Sequence, residues 1–223
     1  MVPSELLRRF RMLVGPALVL AVAGACAAPA ASFDPAGPCT VDGQAPGAYP
    51  DLELDLPTDL QGMAPTSVDS GRSCTEAALG ALVSHDLASV EFAGAIWDLG
   101  HGAGVSSVVF ARPDRRALPA AWVAEFYEIG ARTAKRTENI DASRATFAGA
   151  GEAWRLDTLN QLSLQSVVTW QDGDLVRSVL VASAVAPDAS RADHDVLVER
   201  AVAAAVSAPG GAGSSPTAGL APS

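Results

Sequence analysis

The sequence predicts an α+β domain: a largely antiparallel, hairpin-rich sheet of about six strands, with two to three helices packed against it. Three observations point there. Short alternating apolar runs come in pairs separated by glycine-containing turns, the pattern of hairpins. Longer segments carry apolar residues at three- and four-residue spacing, the pattern of amphipathic helices. Hairpin connections outnumber helical ones, which makes the sheet antiparallel with helices laid against it.

Residues 75–84 (TEAALGALVS) predict a short helix, with Ser73 or Thr75 as its cap. Residues 90–98 predict a strand with Val90, Phe92 and Ile96 on one face. The turn Gly100-His101-Gly102-Ala103-Gly104 joins it to a second strand at 105–111. Residues 119–136 predict the main helix. Pro119 suits its first turn, Leu118, Trp122, Phe126 and Ile129 form one stripe, and Lys135 and Arg136 face the negative end of the dipole. Strands at 142–147 and 152–158 flank Ala148-Gly149-Ala150-Gly151. Strands at 163–170 and 175–185 flank Asp172-Gly173, a strong hairpin signal. Ser190 then caps a helix over 191–206 that buries Leu197, Val198, Ala201, Val202 and Ala205.

Composition bounds the function. The chain has 223 residues and a net charge of -10, and although 49% are hydrophobic, 44 are alanine and 12 aromatic. The expected core is therefore rich in small side chains. A single lysine, Lys135, in so acidic a chain excludes a phosphate-neutralising surface, so no nucleic acid partner is expected. The same charge disfavours adsorption of the domain to anionic lipid.

The first 25 residues read as an export signal. Arg8, Arg9 and Arg11 precede an uncharged apolar run from Met12 to Ala25. That run is shorter than the roughly 20 residues a membrane-spanning helix needs. Extension through Ala31 would reach that length as an uncleaved anchor, against which Pro16 and Pro29 argue. The run ends in Val22-Ala23-Gly24-Ala25-Cys26, which resembles the lipobox of bacterial lipoproteins, with Ala23 standing where that pattern has Leu, Val or Ile. The resemblance implies that Cys26 is acylated and becomes the mature N-terminus. The alternative is ordinary signal-peptidase cleavage after Ala23-Gly24-Ala25. Parity fits the lipid: with Cys26 acylated, Cys39 and Cys74 remain as one pair in an oxidising compartment. A bridge across that separation is worth about 4 kcal/mol in the chain-entropy account.

Residues 26–38 read as a Pro/Ala tether, 39–207 as one domain and 208–223 as a disordered Gly/Ser/Pro/Ala tail. The element order, with a final hairpin followed by a helix, resembles the PsbP-like fold that some exported bacterial lipoproteins share. This resemblance implies a binding or assembly role.

Local catalytic signatures are weak. Asp69-Ser70-Gly71 reproduces the aspartic-protease tripeptide, but such an enzyme needs two facing carboxylates, and the residues read as a turn. The GHGAG segment lacks the Lys-Ser/Thr of a phosphate loop and joins two strands. His85, His101 and His194 show no metal-ligand spacing, and no Gly-x-Ser-x-Gly elbow occurs. No cofactor or metal is expected. His194, between Asp193 and Asp195, is expected to have a raised pKa. Trp122 reads as core, whereas Trp97 lies out of phase with Val90, Phe92 and Ile96, and Trp170 sits at a strand end. Trp97, His101 and Trp170 therefore form a candidate binding patch on the second sheet face, unless residues 41–70 cover it. On this reading, losing Trp97 or Trp170 costs less stability than losing Trp122. The expected protein is a non-catalytic, membrane-anchored extracytoplasmic lipoprotein at the cell envelope, with an unknown protein or small-molecule partner. The alternative is an envelope hydrolase whose site forms only in the fold.

Overall fold

The expected hairpins form, and they pair into one larger sheet. The computed structural model describes residues 33–160, 163–185 and 190–209. Eight strands are present: β1 (Gly43–Ala45), β2 (Ser67–Ser73), β3 (Val90–Gly100), β4 (Ala103–Ala111), β5 (Thr137–Phe147), β6 (Gly151–Asn160), β7 (Ser163–Asp172) and β8 (Leu175–Ala184). They lie in the order β1-β2-β3-β4-β8-β7-β6-β5, and every neighbouring pair is antiparallel. Four helices accompany them: α1 (Pro50–Glu53), α2 (Glu76–Leu79), α3 (Ala120–Thr133) and α4 (Arg191–Val206). The α+β antiparallel architecture is as expected. Among the described residues, the count of about six strands and two to three helices is corrected to eight and four.

The expected turns have physical causes. β3 and β4 join through His101-Gly102, both at positive φ (50° and 79°), as a two-residue hairpin loop of that twist requires. Thr75 caps α2, its Oγ1 accepting from Ala78 N at 3.2 Å. The helix expected over 75–84 stops early at Gly80 (φ 51°) and continues as a 3-10 segment to His85. Pro119 precedes α3, whose Ala120 N–H donates to Gln171 Oε1. Ser190 and Asp193 form a reciprocal capping box at the start of α4.

The sheet is covered on both faces. Along β3, Val90 and Phe92 point to one side, where they pack with Val108, Phe110, Val176, Leu118, Ala120 and Val123 beneath α3. Ala93, Ala95 and Trp97 point to the other, against α4 and the leucines of residues 50–60. α3 presents Ala120 and Val123 to the sheet. The expected stripe is rotated: Trp122 and Phe126 are half-buried at its side and Ile129 is exposed.

Asp69-Ser70-Gly71, expected in a turn, lies inside β2. Gly71 is required there because a Cβ would overlap the carbonyl of Gly43 on β1. Residues 33–38, expected in the tether, lie against the domain. The Arg72 guanidinium donates to the carbonyls of Asp34, Pro35, Gly37 and Pro38 and stands over the Phe33 ring. Cys39 and Cys74 are bridged beside them. No helix among the described residues is long and apolar enough to cross a membrane. Cys26, the leader and most of the tail lie outside the described residues.

Candidate functional site

Trp97 and Trp170 do share the second sheet face, but that face is closed. They are 2% and 3% exposed and belong to one core cluster with Leu52, Leu56, Leu60 and the buried face of α4. The Trp97 indole N–H donates to Met63 O at 2.9 Å, so the covering segment also satisfies its polar atom. His101 stands exposed at the tip of the β3–β4 hairpin. The structure therefore does not make a docking patch of these three residues. The Trp122 ring, expected in the core, instead stacks half-buried on His85 at 4.4 Å between centroids, and His85 Nε2 lies 2.7 Å from Glu125.

A second candidate is polar and buried under the start of α4. His194 Nε2 lies 2.8 Å from Ser166 Oγ, and its Nδ1 lies 2.6 Å from Ser183 Oγ. The Ser166 hydroxyl donates to Asp157, which Arg155 and Arg191 also hold. This grouping contains a serine, a histidine and an aspartate, but not in a catalytic order. A triad needs its carboxylate on the histidine and its histidine taking the serine proton. Here the carboxylate takes the serine's hydrogen directly, and the second ring nitrogen meets another serine. Ser166 and His194 are 1% and 2% exposed, so no substrate reaches them. Burial lowers the His194 pKa, with Arg191 acting in the same direction, against the raised value expected from Asp193 and Asp195.

The third candidate is an open groove of about 300 Å³ between α3 and the outer strands β5, β6 and β7. Ala124, Tyr127 and Glu128 line it from α3, and Trp154, Leu156, Val167 and Thr169 form its floor. Strand register builds that floor. Trp154 pairs with Thr169 and Leu156 with Val167, so successive strands offer these side chains on one face. Deeper in, Thr169 Oγ1 and Ser178 Oγ are 2.9 Å apart, and burial raises the pKa of Tyr127. On the outer wall, Arg144 of β5 pairs with Trp154 and lays its guanidinium 3.5 Å from the indole centroid. Glu128, also lining the groove, is engaged by Arg132 one turn along α3, at 2.9 and 2.7 Å.

Sequence reasoning passed over this groove. One signal was available: a hairpin centred on Gly149 brings Arg144 opposite Trp154, a cross-strand cation–π pair. The contribution of Tyr127 depends on how α3 docks, which no local pattern encodes. No group of three or more His, Cys, Asp or Glu among the described residues is arranged to hold a metal. No protein-family model, curated protein or solved structure matches this chain.

Proposed function

We propose that the protein is a non-catalytic binding protein of the cell envelope, anchored at the outer face of a membrane through a lipid on Cys26, with its ligand site in the groove between α3 and β5–β7. The groove carries the reading. It combines a largely apolar floor with a few hydroxyls, the ion-paired Glu128 and Arg155, and Arg144, a mix of apolar lining and few polar groups typical of small-molecule sites, at the lower end of their usual volumes. Cysteine parity supports the anchor, since bridging Cys39 to Cys74 leaves Cys26 as the third cysteine of the chain. The hydrolase alternative has less support. The Ser166–His194–Asp157 grouping is sealed from solvent, and its carboxylate sits on the wrong partner.

Native mass spectrometry of the protein extracted from its own envelope tests both parts. The intact mass should correspond to a chain beginning at acylated Cys26. The protein should also carry a non-covalent small-molecule adduct. Ala142 is exposed on the groove wall, so Ala142→Trp fills the groove without entering the core. The variant should fold normally and lose the adduct. Equal ligand content in the two proteins would overturn the groove as the site, and an unacylated N-terminus would overturn the anchor.

A further inference from the structure

We infer that the groove selects a small amphiphile with a single carboxylate head, which Arg144 receives while its apolar body lies over Trp154, Leu156 and Val167. This deepens the proposed function and rests on the groove being the ligand site.

The charge arrangement carries the inference. Most described arginines already meet an acceptor. Arg112 and Arg116 hold Asp114, Arg132 holds Glu128, Arg155 and Arg191 hold Asp157 and Asp195, Arg177 holds Asp172, and Arg72 holds four carbonyls. Arg144 has neither a carboxylate nor a hydrogen-bond acceptor among the described residues. Its Cζ stands 3.5 Å over the Trp154 ring and the residue is exposed, which leaves its N–H donors open to a ligand. A planar fork placed in this way matches the two oxygens of a carboxylate.

The other charges lining the groove do not compete. Glu128 is neutralised within α3 by Arg132. Arg155 spends its guanidinium on Asp157 and Asp195. One unopposed positive charge thus faces a ligand, and it balances a monoanion better than a phosphate dianion. Behind it the lining is apolar: Ala124, Leu156, Val167 and the Trp154 ring present carbon, and Thr169 is tied to Ser178. The groove therefore offers a cation at its outer wall and an apolar bed inside, complementary to a carboxylate on a hydrocarbon body.

Isothermal titration of the full exported chain with decanoate, below its micelle concentration, and with the uncharged decanol tests this. Decanoate should bind about tenfold more tightly than decanol, the scale of one charge-assisted hydrogen-bonded contact. Arg144→Gln should remove that preference, so that the variant binds the two probes alike. Arg144 is exposed and outside both core clusters, so the variant should keep its thermal midpoint. Ala142→Trp should abolish binding of both probes. If decanol binds as tightly as decanoate, or Arg144→Gln leaves the preference intact, the carboxylate assignment is wrong while the groove stands as a site. If neither probe binds the wild-type chain, the inference and the groove reading fall together.

Discussion

Trp97 and Arg177 head the largest fully buried side chains, and both fasten the segment after α1 to the sheet. Trp97 does so through its indole bond to Met63 O. Arg177 does so through the carbonyl of Asp55, while its Nε holds Asp172 at 2.5 Å and its Nη1 reaches Ala205 O. A charge this buried is tolerated only because carboxylates and carbonyls surround it. The tryptophans therefore rank in the opposite order from the one their strand and helix phases suggest. Trp97→Ala should cost about 3–5 kcal/mol, as for a large side chain lost from a packed core. Trp122→Ala removes a half-exposed ring stacked on His85 and should cost about 1 kcal/mol. Urea unfolding followed by circular dichroism checks this, and equal midpoints for the two variants would contradict it. Period-two alternation told correctly which face Trp97 occupies. It was silent on what lies over that face.

The covering elements were hard to read for a physical reason. Leu52, Leu56 and Leu60 recur every four residues and are all buried, yet only Pro50–Glu53 is helical, and Pro57 stops a helix from spanning them. β2 has a single apolar side chain, Val68. Its buried side chains, those of Ser70 and Arg72, are polar, and distant partners meet them: Ser70 bonds with Tyr49 N and Glu53, and the two Nη atoms of Arg72 donate to carbonyls of residues 34–38. Hydrophobic alternation cannot reveal a strand that buries hydrogen-bonded polar groups. The span, the cap and most of the apolar stripe of α4 were legible because they are local, although Leu197 is only half-buried. The buried histidine within it was misjudged, since desolvation outweighs the flanking aspartates.

That desolvation sets a pH dependence for the α4 contact. The folded-state pKa of His194 lies below 6.5, so between the two values the unfolded chain binds more protons than the folded one. Stability from the neutral ring is present above pH 6.5 and is lost as pH falls through the folded pKa. Each unit of depression corresponds to about 1.4 kcal/mol. Asp157 and Asp195 face the ring and favour its protonation, and Arg191 and Arg155 oppose it. His194→Gln should lower stability at neutral pH and flatten the loss that wild type shows below pH 6.5. Urea titrations at a series of pH values read this directly. An unchanged slope in the variant would show that His194 does not titrate on unfolding.

Across the whole molecule, the ordered N-terminal strap and the groove lie toward opposite edges of the sheet. Arg72 of β2 and Trp154 of β6 are five strand steps apart, about 24 Å at the usual strand spacing. Because residues 33–38 are bound to β2, the spacer behind an acylated Cys26 shortens from 26–38 to 26–32. Seven residues reach about 25 Å when fully extended, against about 45 Å for thirteen. An anchored domain would then be held close to the bilayer by its β1–β2 end, with the groove toward the far edge. The strap makes a prediction that is independent of any ligand or lipid. A chain starting at Phe33 keeps the four carbonyls and the ring that meet Arg72, so it should unfold at the same urea concentration as the full exported chain. A chain starting at Cys39 keeps the disulfide but strands the guanidinium, whose Nε already lacks a partner. It should lose about 2–3 kcal/mol, the scale of a buried charged donor left unsatisfied. Equal stability of the two truncations would make the strap part of a free thirteen-residue tether, and the domain would then range about twice as far from the membrane.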